Sequence, residues 1–431
     1  MILNAFLALY RLAWMILTPL VLIYLWRRGR RDPMYCAHLG ERFGSYPALP
    51  QNPIWIHAVS LGETRSAVPL ARDLLDAGEV VVFTHFTPAG RKEAHRAFAD
   101  EIAAGRVASV WVPLDMFWVF SRFFKACRPK IGLSMEIEIW PAMVFAARRA
   151  GVPLYMCNAQ YPSTSIARDS RGLRLRQRIM TGFAGAFVKS QLQADRFASV
   201  GVQNIHITGE LRFDQPIPRR LLDAADAVAP TLARRSVVTI ASAIEGEDAL
   251  FIDAIKDILR DDPSAFFIYV PRAPERFDDV RKMLIAADLA PAMRSEMFSD
   301  DLRMAIPGHN WIDEVSVLLG DSLGEMYFYL SLADRVVVGG GFHPKGAHNI
   351  IEPLALEKPV VTGPYTQTIE NPFVEAEAAG VALSVPDGPA LVAALSGDLW
   401  ATPEQITAFV KENSGASGRT VAAIQSEIPN R

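Results

Sequence analysis

Short apolar runs alternate with amphipathic stretches along most of the chain, and this pattern predicts strands that alternate with helices. The predicted strands of the first half are residues 53–59, 80–84, 107–112, 131–135, 154–158, 184–189 and 205–209. Those of the second half are residues 237–241, 266–270, 315–319, 335–338 and 360–362. Strands joined through helices form parallel sheets, so the sequence predicts an α/β protein with two Rossmann-like lobes that face a cleft. Ligands of such folds bind at the carboxyl ends of the strands.

The first 26 residues break this alternation, because they are almost wholly apolar and only Asn4 and Arg11 interrupt them. Residues 12–26 carry no charge, and this uncharged stretch is shorter than the ~20 apolar residues of an unaided membrane span. Arg11 can reach the lipid–water boundary, so a tilted span and a helix lying on the membrane surface both stay open. Four arginines follow within residues 27–31, and such clusters flank membrane segments on the cytoplasmic side. We therefore predict an N-terminal membrane-anchor helix.

A proline-containing segment at residues 215–218, followed by a charged run to Arg235, predicts the linker between the lobes. We divide the chain into an anchor with its basic flank (residues 1–31), an N-terminal lobe (residues 32–214) and a C-terminal lobe (residues 215–431). With 431 residues, of which 50% are hydrophobic, the chain can form two sizeable cores. The formal net charge of −3 gives no overall positive charge that would indicate nucleic-acid binding. The three cysteines lack the spacing of a zinc site or a disulfide framework.

One candidate site follows the predicted strand at residues 335–338, where three glycines (residues 339–341) come directly after three valines. Asn349 suits the N-cap of a following helix, with Glu352 three residues later. A strand, a glycine turn and a helix start together present backbone N–H groups to a phosphate. The motif alone fits equally well a turn that only lets a strand and a helix pack closely.

Three other loops carry the pattern Ser-x-x-Glu directly after predicted strands. They are Ser60-Leu-Gly-Glu63, Ser242-Ala-Ile-Glu245 and Ser322-Leu-Gly-Glu325. Each fits a capping box, in which the Ser and Glu side chains bind free N–H groups of a helix start. A carboxylate that faces the cleft from a helix start is the functional alternative, and the spacing does not separate the two.

Several motifs recur in a fixed order along nearly the whole chain. They are Leu39-Gly-Glu-Arg-Phe-Gly44, His57-Ala-Val-Ser-Leu-Gly-Glu63, Phe86-Thr-Pro-Ala-Gly90, Glu136-Ile-Glu-Ile-Trp-Pro141, Thr208-Gly-Glu-Leu-Arg-Phe-Asp214, Val270-Pro-Arg272, Gly320-Asp-Ser-Leu-Gly-Glu-Met326 and residues 336–364. In this order they resemble the Kdo transferases of lipopolysaccharide assembly, which transfer 3-deoxy-D-manno-octulosonic acid (Kdo) from CMP-Kdo to a lipid A precursor.

The resemblance implies a GT-B-type glycosyltransferase fold, with the lipid acceptor in the N-terminal lobe and the CMP-sugar in the C-terminal lobe. It implies inversion at the anomeric carbon, no cofactor and no metal ion. It also implies that CMP-Kdo, a lipid A precursor and membrane lipid are the partners, at the cytoplasmic face of the cell inner membrane. The absence of an Asp-x-Asp pair agrees with the expectation of no metal ion.

The resemblance also assigns roles to residues. Glu63 is the expected general base, Glu136 supports the transition state or positions the acceptor, and Arg212 is a cation for the departing phosphate. A helix start favours the ionised form of a carboxylate, so we expect the pose of Glu63 to matter more than a raised pKa. The implied CMP-binding residues are Pro271, Arg272, Gly324, Glu325, Met326, Asn349, Ile350, Ile351 and Glu352. Ser242 and Glu245 are weaker candidates for binding the Kdo moiety.

Departures from the family pattern in or near the loops that would contact substrate include Ile137, Gln160 and Ile244. They leave the acceptor and the sugar open, so a membrane-associated sugar-nucleotide enzyme with a different acceptor or sugar is the alternative function. A dinucleotide-dependent oxidoreductase is disfavoured, because the G-x-G-x-x-G spacing is absent and no acidic residue ends the strand at residues 360–362. The retention of Glu63 disfavours a non-catalytic CMP-sugar binder.

Overall fold

The structure is a computed structural model that describes residues 2–289, 291–305 and 311–428. The chain divides into two compact units, the first formed by Met1–Gln215 with Ser414–Arg431 and the second by Pro216–Asn413. The boundary after Gln215 lies one residue from the predicted one. The segment from Ser414 was predicted to be part of the C-terminal lobe, and this prediction is wrong, because its apolar side chains pack into the core of the first unit.

Within the described residues each unit contains one seven-stranded sheet of parallel strands. The strands of the first unit are β1 (Ile54–His57), β2 (Val81–His85), β3 (Val107–Trp111), β4 (Ile131–Met135), β5 (Leu154–Ala159), β6 (Gly185–Val188) and β7 (Ile205–Ile207). Those of the second unit are β8 (Val237–Ala243), β9 (Phe266–Pro271), β10 (Ala292–Met293), β11 (Val317–Leu319), β12 (Arg335–Val338), β13 (Val360–Thr362) and β14 (Ala382–Ser384). Every predicted strand forms, and the predicted α/β class with Rossmann-like sheets is confirmed.

Helices connect the strands and cover the sheets. Those up to the end of the first sheet are α1 (Ile2–Gly29), α2 (Leu39–Arg42), α3 (Leu61–Asp76), α4 (Pro88–Ala97), α5 (Ala99–Ala103), α6 (Phe117–Cys127), α7 (Pro141–Ala150), α8 (Ser163–Asp169), α9 (Leu175–Met180) and α10 (Gln191–Ser199). Those that follow are α11 (Arg219–Leu232), α12 (Asp248–Asp261), α13 (Phe277–Ala286), α14 (Arg294–Met297), α15 (Met326–Ser331), α16 (Ile351–Leu354), α17 (Glu370–Ala378), α18 (Gly388–Ser396), α19 (Pro403–Asn413) and α20 (Ala416–Glu427). Short 3₁₀ helices lie at Pro33–Tyr35, Leu211–Asp214, Pro274–Arg276 and Trp311–Asp313.

The strand order places a crevice in each sheet. The first sheet has the order β3-β2-β1-β4-β5-β6-β7, so the chain reverses its direction of winding between β1 and β4. The second has the order β10-β11-β9-β8-β12-β13-β14, with the reversal between β8 and β12. At such a reversal the loops diverge above the carboxyl ends of the strands, where open α/β sheets bind their ligands. The loops after β1, β4, β8 and β12 are therefore the candidate ligand-binding loops.

The helix α1 lies against the first unit along one stripe and exposes the opposite face. Trp14 and Val21 pack on the cluster formed by Leu114, Met116 and Val119. Large apolar side chains on the outer face are exposed, namely Ile2, Leu9, Leu12, Met15, Ile16, Leu17, Leu20, Ile23, Tyr24 and Trp26. Among the described residues, α1 is the helix long and apolar enough to cross a membrane. It is therefore a candidate membrane anchor.

Candidate active site

The helix α3 begins at a capping box that fixes the position of Glu63. The Glu63 N–H donates to Ser60 Oγ at 3.4 Å, and the carboxylate accepts from the Ser60 and Val59 N–H groups at 3.2 and 2.5 Å. The carboxylate therefore satisfies backbone donors that a helix start leaves free. Its position directly after β1 lies at the winding reversal of the first sheet.

The other two predicted capping boxes do not form. Ser242 has a left-handed backbone with φ 61°, and the following helix starts only at Asp248 with Glu247 as its N-cap residue. Ser322 donates its hydroxyl to Glu325 Oε2 at 2.5 Å, and Glu325 itself is the N-cap residue of α15. At Ser242 the helix begins six residues later, and at Ser322 the hydroxyl binds the Glu325 carboxylate instead of a backbone N–H, so the capping-box interpretation is wrong for both.

Burial and the nearby carboxylates of Glu138 and Glu136 together raise the pKa of Glu63 to about 8, against the lowering effect of the two backbone N–H donors. The expectation that the helix start keeps this group readily ionised is therefore wrong. Desolvation and two like charges outweigh the N–H donors. The result is a carboxyl group that exchanges a proton near neutral pH, which is the property of an effective general base.

The loop after β4 brings Glu136 and Glu138 to the same crevice. Glu136 has a left-handed backbone with φ 55°, which is uncommon for a non-glycine residue and often marks a functional turn. Glu138 accepts from Trp140 Nε1 at 2.7 Å, and burial raises the pKa of Glu138. Glu136 is among the site residues predicted from the sequence and Glu138 is not, although the Glu-x-Glu spacing is a signal that points to both.

Two buried histidines lie beneath this crevice at the ends of β1 and β2. Burial lowers the pKa of both His57 and His85 to about 3, so both rings are neutral. His85 Nδ1 lies 2.9 Å from the carbonyl oxygen of Ala58 and therefore donates to the strand that leads into the capping box. Across residues 2–289, 291–305 and 311–428, no group of three or more His, Cys, Asp or Glu side chains is placed to hold a metal ion.

Arg212 lies in the 3₁₀ turn Leu211–Asp214, which packs against α3. Its guanidinium donates to both carboxylate oxygens of Glu210, from Nε and Nη2, at 3.2 Å each. Lys189, at the end of β6, forms a second ion pair with Glu210 at 2.7 Å. Arg212 and Glu63 both follow the carboxyl ends of strands of the first sheet. Lys189 and Glu210 are not among the site residues predicted from the sequence.

In the second unit, Glu247 occupies the backbone donors of the glycine stretch. Its carboxylate accepts from the N–H groups of Gly340 and Phe342 at 2.7 and 2.9 Å, and from Ile244 at 3.2 Å. Gly340 has φ 89°, and a Cβ there would lie 2.4 Å from the Gly346 carbonyl oxygen. Of the two interpretations of this glycine turn, phosphate binding by free N–H groups therefore does not hold at Gly340, and the N–H of the following Phe342 is occupied as well.

The helix start in the same stretch also differs from the prediction. The helix α16 has four residues, its N-cap position is Ile350, and Asn349 Oδ1 accepts from the Ile351 N–H at 2.9 Å. Asn349 and Glu352 therefore do not form a capping box. The local turn at Asn349 uses its side-chain oxygen, which leaves the amide nitrogen of that side chain as a donor.

The other predicted CMP-binding residues lie at the carboxyl edge of the second sheet. Pro271 ends β9, and Arg272 follows it as an exposed residue. Burial and the charge of Arg272 lower the pKa of His348 to about 4, so the β9 loop lies close to the glycine stretch. Glu325, between Gly324 and Met326, binds Arg294 through two contacts of 2.6 Å, which neutralises its carboxylate.

Comparison with known proteins gives the family. Residues 37–215 match the family model of 3-deoxy-D-manno-octulosonic-acid transferase (kdotransferase). The 3-deoxy-D-manno-octulosonic acid transferase of Bordetella pertussis is 36% identical over 433 residues, which cover 96% of this chain and 98% of that protein. The Haemophilus influenzae enzyme of the same name is 30% identical, over 82% of this chain and 81% of its own. The chain belongs to the Kdo transferase family. The predicted resemblance is confirmed.

Solved structures support the fold of this Kdo transferase. A glycosyltransferase from Rickettsia africae has a TM-score of 0.56 at 13% identity and covers 88% of this chain and 99% of its own. A UDP-GlcNAc 2-epimerase from Neisseria meningitidis has a TM-score of 0.55 at 12% identity, with coverages of 87% and 100%. At these identities the likeness concerns the fold alone. The fold is that of the GT-B glycosyltransferases, and the protein is a glycosyltransferase that transfers Kdo in lipopolysaccharide biosynthesis.

Proposed function

We propose that this Kdo transferase moves Kdo from CMP-Kdo to a lipid A precursor, lipid IVA, with inversion and without a metal ion. The observation that carries the proposal is the buried carboxyl group of Glu63, with a pKa of about 8 and two neighbouring carboxylates at the winding reversal of the first sheet. A sugar hydroxyl is a weak nucleophile, so transfer needs a group that accepts its proton as the new bond forms.

In the proposed reaction, the acceptor hydroxyl oxygen attacks the anomeric carbon of Kdo while its proton passes to Glu63. The bond between that carbon and the phosphate oxygen of CMP breaks, and CMP leaves with the electron pair. Glu136 positions the acceptor. Negative charge develops on the departing phosphate, and a cation such as Arg212 or Arg272 stabilises it.

For the donor we propose a site at the carboxyl edge of the second sheet, formed by Pro271, Arg272, residues 324–326 and residues 349–352. The ion pair of Glu325 with Arg294 supports a structural role for that carboxylate, so we assign the CMP contacts in this loop to backbone groups. Arg272 is an exposed residue, and its guanidinium is the cation we assign to the donor phosphate.

We propose that α1 holds the enzyme at the cytoplasmic face of the inner membrane. The exposed apolar face supports contact with acyl chains, and the arginines at the end of the helix support contact with anionic headgroups. Tyr10 donates to Asp115 at 2.6 Å, and the Arg11 guanidinium lies 3.9 Å from the Phe117 ring centroid. These contacts along the helix favour one that lies on the membrane surface over one that crosses it.

The test is incubation of the purified full-length protein with CMP-Kdo and lipid IVA, followed by mass spectrometry of the lipid. We expect a Kdo-bearing lipid from the wild type and a rate at least about 100-fold lower from Glu63→Gln. Glu79→Gln is the matched control, because Glu79 pairs with Lys130 at 2.6 Å at the amino ends of the strands of the same sheet, away from Glu63. Release of CMP without a Kdo-bearing lipid would reject this acceptor, and full activity of Glu63→Gln would reject the base.

A further inference from the structure

Glu210 is the centre of a buried group of charged side chains at the carboxyl ends of β5, β6 and β7. Its Oε2 pairs with Lys189 Nζ at 2.7 Å, and the two side chains are 2% and 0% exposed. Its Oε1 accepts from Asn158 Nδ2 at 2.9 Å and from the Arg212 backbone N–H at 3.1 Å. With the two guanidinium contacts of Arg212, the carboxylate uses all the acceptor positions that it offers.

The three side chains Lys189, Glu210 and Arg212 together carry a formal net charge of plus one. Burial alone would raise the pKa of Glu210, but the attraction of Arg212 and Lys189 outweighs burial and holds that pKa far below its usual range. The Lys189 side chain is sealed from solvent, whereas the Arg212 side chain is 26% exposed. Of the two cations, Arg212 is therefore the one that is accessible to a substrate at the carboxyl ends of the strands.

The direction of the Arg212 guanidinium is fixed from several sides. Both carboxylate oxygens of Glu210 accept hydrogen bonds from the guanidinium. Asn158 fixes the turn, because its side-chain oxygen accepts from the Leu211 N–H at 3.0 Å. The turn in turn packs against α3, the helix that carries Glu63. A guanidinium with a fixed direction can bind a planar or tetrahedral oxyanion through two parallel hydrogen bonds.

We propose that Glu210 and Lys189 are positioning residues that make Arg212 a preorganised binding group for a substrate oxyanion, either a phosphate or a carboxylate. The inference rests on the proposed function, because the oxyanion belongs to one of the two substrates of the transfer. Lys189 supplies the positive charge that strengthens the site, and Glu210 supplies the orientation.

Three variants separate charge from orientation. Lys189→Met lowers the charge of the group to zero and keeps the Glu210 contacts of Arg212. The double variant Lys189→Met/Glu210→Gln restores the net charge of plus one but weakens the hydrogen bonds that orient the Arg212 guanidinium. Lys282→Met is the matched control, because Lys282 is 77% exposed in the second unit. Glu210→Gln alone is avoided, since it would leave the Lys189 ammonium buried without a partner.

The first measurement is calorimetric binding of inorganic phosphate, which needs no turnover, and the component lost in Arg212→Met defines the site. We expect its Kd to rise about tenfold in Lys189→Met, from the loss of one nearby charge, and to stay unchanged in Lys282→Met. In the double variant we expect a Kd within about threefold of wild type, but a kcat at least about tenfold lower because the guanidinium is no longer oriented.

A phosphate Kd that is equal in the wild type and Lys189→Met, or a wild-type kcat in the double variant, would overturn the inference. The KM values of Lys189→Met identify the source of the oxyanion. A rise for CMP-Kdo assigns it to the donor, a rise for the lipid assigns it to the acceptor, and a rise for neither contradicts the proposal. A wild-type protein that forms no Kdo-bearing lipid would reject the proposed function, whereas the phosphate measurement would still decide the role of Lys189.

Discussion

At the residue scale, the pKa of Glu63 sets the pH range in which it can accept a proton. Below its pKa of about 8 the protonated form dominates, so kcat/KM should fall as the pH decreases through this value. Glu138 contributes to the raised pKa through like-charge repulsion. We therefore expect Glu138→Gln to lower the pKa of Glu63 and to move the acid limb of the kcat/KM profile to lower pH.

The measurement is kcat/KM for the wild type and Glu138→Gln from about pH 6 to about pH 10. Gln keeps an oxygen that can accept from Trp140 Nε1, so the loop after β4 should stay in place. Glu79→Gln should leave the limb unmoved, since Glu79 is at the amino ends of the strands, away from Glu63. An acid limb that stays in place or moves to higher pH in Glu138→Gln would contradict the coupling.

Glu63 and Glu138 show which properties of single residues follow from sequence. Glu63 could be selected as the base, because its motif and its place after a strand are both local features. Its raised pKa could not be predicted, because it depends on burial and on carboxylates that lie more than seventy residues away in the chain. Lys189 and Glu210 were missed for the same reason, since their pairing joins two separate strand ends.

At the element scale, Glu247 braces the loop after β12 against the loop after β8. Glu247→Ala would leave the buried Gly340 N–H and the Phe342 N–H without their acceptor. We expect a loss of about 2–4 kcal/mol in the free energy of unfolding and a weaker affinity for CMP. Glu247→Gln keeps one acceptor oxygen and should lie between Ala and wild type. Urea unfolding and calorimetric CMP binding measure the two effects. A wild-type CMP affinity in Glu247→Ala would show that the contacts of Glu247 with the loop after β12 do not shape the donor site.

The two faces of α1 should have separable roles. Replacing Met15, Ile16 and Leu20 on the exposed face by Gln should reduce membrane binding at least about tenfold, because their apolar area no longer enters lipid. The stability of the first unit should not change. Tyr10→Phe is the matched variant on the inner face, where loss of the Asp115 contact should cost about 1 kcal/mol and leave membrane binding intact.

Vesicle sedimentation and thermal unfolding measure these two outcomes. If the triple Gln variant still sediments with vesicles of anionic lipid as the wild type does, the exposed face of α1 is not the membrane contact.

The elements that could be predicted are those with a strong local signal. The central strands are buried on both faces, so each appears in the sequence as a continuous apolar run between turn residues. The edge strands β10 and β14 were missed, because they have two and three residues and are held mainly by a neighbouring strand. Of the three Ser-x-x-Glu patterns, only the one at Ser60 forms a capping box in the structure.

At the scale of the whole molecule, the chain returns to the first unit after it has completed the second. Asp214 accepts from the N–H groups of Gly415 and Ser417 at 2.6 Å each, and this contact holds the start of α20. The amphipathic pattern of α20 encodes a buried face but not the core that buries it. Assignment to the nearer lobe in sequence was therefore the natural prediction, and a long-range contact overrides it.

Two buried isoleucines of consecutive helices test this division of the chain. Ile424 in α20 belongs to the first unit and Ile406 in α19 to the second, and both side chains are fully buried. Truncation to Ala should destabilise the affected unit by about 2–5 kcal/mol in each case. A ligand stabilises only the unit that binds it. CMP should therefore raise the unfolding temperature of the second unit, which Ile406→Ala lowers. It should not change the unfolding temperature of the first unit, which Ile424→Ala lowers. Scanning calorimetry with and without CMP resolves the two, and a single transition lowered equally by both variants would contradict independent units.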